Sequence, residues 1–552
     1  MGTRVAGAGR GYVDEVVRIV LLLPCASSRC CATSCDYHQT ALVFERRPRD
    51  VQCFVSAIAR DDPQSTRPSP SAAMSPRRGA WLADERVAAT IVVLWVVVQY
   101  GWTLGFGFSN DDYIWIAGVR LTAGQPWWRV AFVSPAFGRT FVRPLVQLSF
   151  FINQACCGTA PMGYHLLNVV LHAINTLLVW RVAGRVLQRP VDGLLVALLF
   201  AIEPAHPDAV TWISGRTELL AAMFYLAAVL AHLRERTWLA GLWFALALLS
   251  KESALSFPLV AFLLDALLPA RPRWRPTALA VYAAECVAYA TLRWYATTFP
   301  FAGLLVWPAL RSGNALAVVQ IVGHRLAQAA RMLWAPRLLD GPHAVVVAVA
   351  VGVVCLWVTR RPTPRRATLL AMAWIAATLL PFVGLWIFQA RYVYLASIGL
   401  AMLLVHTLRV AWDTVRWPRW GRPVLAAAGV ALCAGWTVAV LLHNEQSRRN
   451  GILSDRLIDA AVLAVPHAAP STLFLMHNLT LVSMGGDPWA HTPVLLFGFS
   501  EALQLRYGDP TIEVRMVEVA GAQPLSPGRP VVHLRWNSTT GAFEPLPPVG
   551  AS

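Results

Sequence analysis

The run Arg86 to Gly107 (RVAATIVVLWVVVQYGWTLGFG) passes without interruption into Phe108-Ser109-Asn110-Asp111-Asp112-Tyr113. An apolar stretch of that length meets the roughly 20 residues a helix needs to cross a hydrocarbon core. If it spans, Asp111 and Asp112 stand at the membrane surface where it emerges. Composition agrees: 56% of the 552 residues are apolar and only 14% charged, with a mean hydropathy of +0.51, outside the range of soluble globular domains. The expectation is a mostly α, polytopic membrane helix bundle. The net charge of +17 gathers between apolar segments, where basic residues set orientation. The bilayer is therefore the expected surrounding, and no nucleic-acid partner is expected.

Spans are expected at about 86–107, 165–187, 191–205, 216–233, 237–250, 253–270, 276–296, 343–359, 367–388, 393–412 and 423–442, about 11 in all. Arg77, Arg78 and Arg86 precede the first and place its start on the cytoplasmic side. Arg181, Arg185 and Arg189, then Arg234 and Arg236, then Arg271, Arg273 and Arg275 fall on the same side of an alternating path. Glu203 to Glu218 and Ser250 to Ser253 then share the outer side with Asp111 and Asp112. Segment 314–336 carries His324, Arg325 and Arg331, which suits an interfacial or re-entrant element better than a span.

Three regions are expected. Residues 1–80 are Pro/Ser/Arg-rich and are read as a disordered segment, with Met74 as an alternative start and the residues before it a gene-model extension. Residues 81–443 form the transmembrane domain, with a first outer loop at 108–164. Residues 444–552 form a small extracytoplasmic α/β or β-rich domain, since Thr511 to Val519 and Val531 to Trp536 alternate between Gly/Pro/Asn turns. The ten cysteines fit no zinc spacing, and a bond between neighbouring Cys156 and Cys157 would be strained.

Lys251 is the single lysine, so 46 of the 47 basic residues are arginine. That bias fits a GC-rich, bacterial genome. It also marks Lys251, because an ammonium is a compact point charge able to approach one phosphate oxygen in a tight pocket. Ionisable groups at one membrane face are costly and mark function more often than chance placement does. Asp111 and Asp112 could nonetheless be only the solvated start of a loop. His165, Asn168, His172 and Asn175 share one helical face. For His172 and Asn175 the expected role is bonding to neighbouring helices, whereas His165 lies near the outer edge. His206 and Asp208 fall in the Glu203-to-Glu218 segment with Arg216. Lys251-Glu252 and Arg391 open later spans, where basic groups could hold a phosphate.

Taken in order, Asn110-Asp111-Asp112-Tyr113, Arg143-Pro144-Leu145, His165-Leu166-Leu167-Asn168 to His172, Glu203 to Glu218, Leu249-Ser250-Lys251-Glu252 and Arg391-Tyr392-Val393-Tyr394-Leu395 resemble the GT-C membrane glycosyltransferases. The branch they are most similar to is that of the protein O-mannosyltransferases, including the transmembrane O-mannosyltransferases with tetratricopeptide repeats, over about residues 88–412. The resemblance implies a polyprenyl-phosphate sugar donor and a hydroxyl acceptor on protein, glycan or lipid. It implies that Asp111 or Asp112 acts as the base for an inverting transfer, with Asp112 slightly preferred. Lys251, Arg391 and Arg216 would then stabilise the departing lipid phosphate, and Glu218 and Glu252 would orient them. His206, Arg143 and His165 complete the expected substrate-binding set. The resemblance names no certain cofactor and leaves a divalent metal at Asp111 and Asp112 open.

Two departures stand out. The tetratricopeptide repeats are missing, and Gln389-Ala390 replaces the carboxylate that relatives tend to carry before the Arg-Tyr pair. The expected function is transfer of a sugar, with mannose a candidate, at the outer face of a bacterial inner membrane. The alternatives are a lipid-linked oligosaccharide polymerase or ligase, a non-enzymatic transporter of lipid-linked sugars, and an inactive scaffold.

Overall fold

The computed structural model describes residues 85–121, 124–132, 141–268, 275–297, 306–334, 365–385, 388–479, 486–487, 492–493, 495, 497–517 and 528–547. The N-terminal segment with Met74, and the span expected at 343–359, lie outside them. Among the described residues, four helical segments are long and apolar enough to cross a membrane: Glu85–Gly105, Pro161–Val186, Ile213–Leu233 and Gly421–Ala464. They make this an integral membrane protein. Their outer faces expose Leu94, Val98, Leu166, Val170, Val424, Val430 and Val438. Such apolar stripes suit lipid, against which only internally bonded backbone is tolerated.

The helices used below are α1 (Glu85–Tyr100), α2 (Asp112–Arg120), α3 (Pro144–Cys157), α4 (Pro161–Val186), α5 (Pro190–Ala201), α6 (Arg216–Leu233), α7 (Thr237–Leu248), α8 (Phe257–Leu267), α9 (Pro276–Ala296), α10 (Ala315–Trp334), α11 (Arg365–Leu379), α12 (Ala396–Thr414), α13 (Gly421–Ala464) and α14 (Phe499–Tyr507). Proline opens α3, α4, α5 and α9, where its fixed φ suits the first turn and its missing N–H has no intrahelical partner to lose. Within segment 314–336, Ala315–Trp334 is helical as α10 and is not among the four long apolar helices found among the described residues.

Short 3-10 turns interrupt the bundle at Ile213–Gly215, Glu252–Ser256 and Ala390–Val393. Each lies just before a helix or opens toward one, and each carries or adjoins expected site residues. Deeper in the bundle, His172 Nδ1 meets the Tyr394 hydroxyl at 2.7 Å, and Asn175 Nδ2 donates to Leu219 O and to the same hydroxyl. Those contacts tie α4 to α6 and to the turn before α12, as expected for these two residues.

α13 passes unbroken through position 443/444, where the sequence suggests a boundary. Its first half is apolar. Its second half packs against the end of the first span, where Gly451 meets Gly107 backbone to backbone, so closely that a Cβ added at 451 would come within 3.2 Å of the Gly107 nitrogen. Asn444 fixes the crossing, donating to Gln99 O at 3.1 Å and accepting from the Thr211 hydroxyl at 2.5 Å. Beyond it comes a four-stranded sheet of β1 (Leu473–His477), β2 (Glu513–Met516), β3 (Val531–Asn537) and β4 (Ala542–Leu546). The strand order is β2-β1-β3-β4, with β1 parallel to both neighbours and β3 antiparallel to β4. Two strands fall within the runs that alternate in the sequence.

Candidate active site

Asp111 and Asp112 occupy the turn that starts α2, and the fold treats them differently. Asp112 is 1% exposed. Its Oδ1 accepts from the Ser214 backbone N–H at 2.8 Å and from the Ser214 hydroxyl at 2.6 Å, and its Oδ2 accepts from the Ser109 N–H at 3.0 Å. The carboxylate thereby pins α2 to the turn before α6. Asp111 Oδ1 is buried and has no hydrogen-bond partner among the described residues. Burial raises the Asp111 carboxyl to about 6, with Arg391 and Arg143 pulling it down and Glu501 pushing it up. Burial raises Asp112 to about 7 against the bonds from Ser214 and Ser109.

Around Asp111 stands a ring of ion pairs drawn from distant parts of the chain. Arg143, at the start of α3, grips Glu252 with two bonds, Nη2 to Oε1 at 2.7 Å and Nε to Oε2 at 3.2 Å. Burial alone would raise the Glu252 carboxyl, but the Arg143 guanidinium overrides it and holds it down to about 2. Lys251 Nζ pairs with Glu218 and lies 4.7 Å from the centre of the Tyr392 ring, which stacks on Phe382. Burial lowers the Lys251 ammonium below its ordinary range, opposed by Glu218.

Arg391 spreads over Trp212, its Cζ 4.4 Å from the ring centre. Its backbone N–H donates to Asp208 Oδ2 at 3.1 Å. Its Nη1 forms an ion pair with that carboxylate at 3.7 Å, too far for a hydrogen bond, and is buried without a hydrogen-bond partner among the described residues. Asp208 thus supplies from another segment the carboxylate that Gln389-Ala390 lack.

Three expected residues sit apart from this ring. Arg216 is fully buried, and every guanidinium nitrogen is engaged: Nε donates to Asn168 Oδ1, Nη2 to Tyr164 O, and Nη1 reaches Ser149, all over the Phe150 ring. Arg216 therefore joins α6 to α3 and α4 rather than waiting for a phosphate. His206 Nε2 bonds Ser397 at 3.0 Å and packs among His172, Phe200 and Tyr394. His165 is buried against Phe106. Among the described residues no three His, Cys, Asp or Glu side chains converge as metal ligands, and both Asp112 oxygens are already occupied by donors.

In this cluster, among the described residues, Asp111 Oδ1, Arg391 Nη1 and Trp212 Nε1 are buried without a hydrogen bond, as are both ring nitrogens of His165 apart from it. Lys251, Arg143, Glu218 and Glu252 are close enough to influence one another's charge. Trp212, Tyr392 and Asp208 belong to the site although the sequence assigns them no role in it. Their only signal is adjacency to Arg391 and membership of the Glu203-to-Glu218 segment.

Fold and site define an integral membrane protein with a buried cluster of charged side chains at the ends of its helices. No known protein-family pattern matches the chain. Curated relatives do: it is 35% identical over 223 residues to the protein O-mannosyl-transferase Tmtc1 of Drosophila melanogaster, which covers 38% of this chain and 25% of that protein. It is 40% identical over 94 residues to the protein O-mannosyl-transferase TMTC3 of Mus musculus, covering 17% and 10%. The chain spans about a quarter of the length of the first of these relatives. ArnT from Cupriavidus metallidurans, solved bound to undecaprenyl phosphate, aligns over 84% of this chain and 94% of that one, at 12% identity and a TM-score of 0.45. The resemblance to the protein O-mannosyltransferase-like branch, drawn from six short motifs, holds in the curated relatives.

Proposed function

We propose that this protein is an inverting glycosyltransferase that moves a sugar, mannose first among the candidates, from a polyprenyl-phosphate donor to a hydroxyl acceptor. The observation that carries this reading is the pairing of two unsatisfied buried groups, Asp111 Oδ1 and Arg391 Nη1, in one ring of fixed charges. Burying a polar atom without a partner costs about 1–3 kcal/mol. A site that binds a hydroxyl and a phosphate recovers that cost when loaded.

In this reading Asp111 accepts the proton of the acceptor hydroxyl as its oxygen bonds to the anomeric carbon. The bond from that carbon to the lipid-phosphate oxygen breaks, and the electron pair leaves on the phosphate. Arg391 and Lys251 stabilise the charge that develops there. Glu218, Glu252 and Asp208 hold the cations in place, and Arg143 fixes Glu252. Asp112 anchors the turn on Ser214 and is not the base.

The eleven-span path, an outward-facing site and a bacterial inner membrane belong to the same reading. Its support is that helices stand at the expected spans within the described residues. The test reconstitutes the full chain in liposomes with radiolabelled polyprenyl-phosphate mannose, glucose and galactose. Acceptors are a Ser/Thr peptide, a cell-wall glycan and a glycolipid. Label transfer to one acceptor class supports the reading, and absence of transfer from every donor overturns it.

A further inference from the structure

The C-terminal domain touches the proposed site at the residue immediately before Asp111. Asn110 holds φ +48, a left-handed conformation that asparagine adopts more readily than most residues with a side chain. Its Oδ1 accepts a 2.9 Å hydrogen bond from the backbone N–H of Phe497, 387 positions away. Gly498, with φ +92, lies directly against its carbonyl. A Cβ at 498 would overlap Asn110 O and come within 3.4 Å of Tyr113 Cβ, so only glycine fits there. Gly498 is also the N-cap of α14, and α14 packs along α2.

The turn is thus fixed from two sides. From the bundle, Ser214 holds Asp112; from the C-terminal domain, Phe497 and Gly498 hold Asn110. Asp111 lies between the two clamps, and no hydrogen bond of its own orients Oδ1 among the described residues.

We propose that the Phe497–Gly498 segment is a positioning element for Asp111, so that docking of the C-terminal domain holds this carboxylate toward Arg391 and Arg143. This rests on the reading of Asp111 as base. Misplacing a reacting group by about 1 Å costs on the order of 100-fold in rate. Loosening the clamp therefore lowers kcat and leaves the donor site, built from Lys251 and Arg391, intact. The groups facing Asp111 are Arg391 and Arg143 from the bundle, Glu501 from α14, and neighbouring Asp112. Undocking removes Glu501 and part of the burial, so the acidic limb of the pH–kcat profile moves to lower pH.

Two variants test this in the full-length protein. Asn110→Gly keeps the left-handed backbone and removes the Oδ1 acceptor, and Gly498→Ala forces the clash with the Asn110 carbonyl. Gly508→Ala is the control: Gly508 has φ +73, and a Cβ there meets open space, so it strains the same domain away from the turn. Amide exchange of residues 111–116 and transfer from radiolabelled polyprenyl-phosphate mannose are measured for each. Both test variants are expected to speed exchange and lower kcat about tenfold or more, with the donor KM within about twofold and the acidic limb shifted down. Gly508→Ala should leave all of these near the parent.

The proposal is overturned if exchange accelerates while kcat and the pH limb stay unchanged, or if Gly508→Ala impairs transfer equally. Asp111→Asn separates the two claims. Full transfer by that variant defeats the base reading, while the exchange data still judge the clamp.

Discussion

Two arginines, Arg216 and Arg391, share one expected task, and the molecule uses them in opposite ways. Arg216 is surrounded by acceptors: Asn168, Tyr164 and Ser149 take its N–H groups, and Phe150 covers its face. Arg391 rests on Trp212 and keeps one buried nitrogen without an acceptor. The same contrast separates Asp112, which takes three bonds, from Asp111, whose Oδ1 takes none. Asp112 and Arg216 are bonded into the fold, whereas Asp111 Oδ1 and Arg391 Nη1 make no hydrogen bond among the described residues. Residue type and spacing alone do not draw that distinction.

Substitutions sharpen the contrast. The largest effect is expected at Asp111: Asp111→Asn should lower transfer about 100- to 10,000-fold, as loss of a general base does, with donor binding retained in a filter-binding assay. Arg216→Met comes next and acts on stability, because it strands Asn168 Oδ1 and the Tyr164 carbonyl in the interior. A loss of about 1–3 kcal/mol for each stranded acceptor is expected, read as a drop in thermal unfolding temperature in detergent. Arg391→Gln should lower kcat about 100-fold through lost stabilisation of the leaving phosphate, and leave the unfolding temperature close to that of the parent. If these two arginine variants exchange phenotypes, the distinction between saturated and free groups is wrong.

Smaller effects follow from charge. The base works ionised, and burial sets Asp111 at about 6. Transfer should therefore rise with pH through about 6 and fall away below it, as the carboxylate takes up a proton. A profile flat from about pH 5 to 8 counts against Asp111. Lys251→Arg should cost the least, about tenfold, because a planar guanidinium fits the Tyr392 and Phe382 stack less closely than a point charge does. Full rate in that variant means the solitary lysine is a coincidence of composition.

Much of the architecture is legible in the sequence because it rests on local pattern. Apolar runs mark the spans, prolines mark their starts, and alternation near Thr511 and Val531 marks β2 and β3. The proximity of Asp111, Arg143, Glu218, Lys251, Glu252 and Arg391 agrees with the alternating path of spans, which expects them on one side. What stays hidden depends on tertiary partners. The difference between the two aspartates depends on Ser214, 102 positions away. Arg391 draws its carboxylate from Asp208, 183 positions away. The continuity of α13 past 443 is masked because its second half is polar yet helical, packed on Gly107 rather than on lipid.

The most direct test compares Asp111→Asn and Asp112→Asn in parallel, each normalised to the folded fraction and to bound polyprenyl-phosphate mannose. The account predicts that Asp111→Asn binds donor and transfers almost nothing, while Asp112→Asn unfolds at lower temperature and transfers within about tenfold of the parent per folded molecule. Transfer retained by Asp111→Asn and abolished by Asp112→Asn, at equal folding and donor binding, would contradict it.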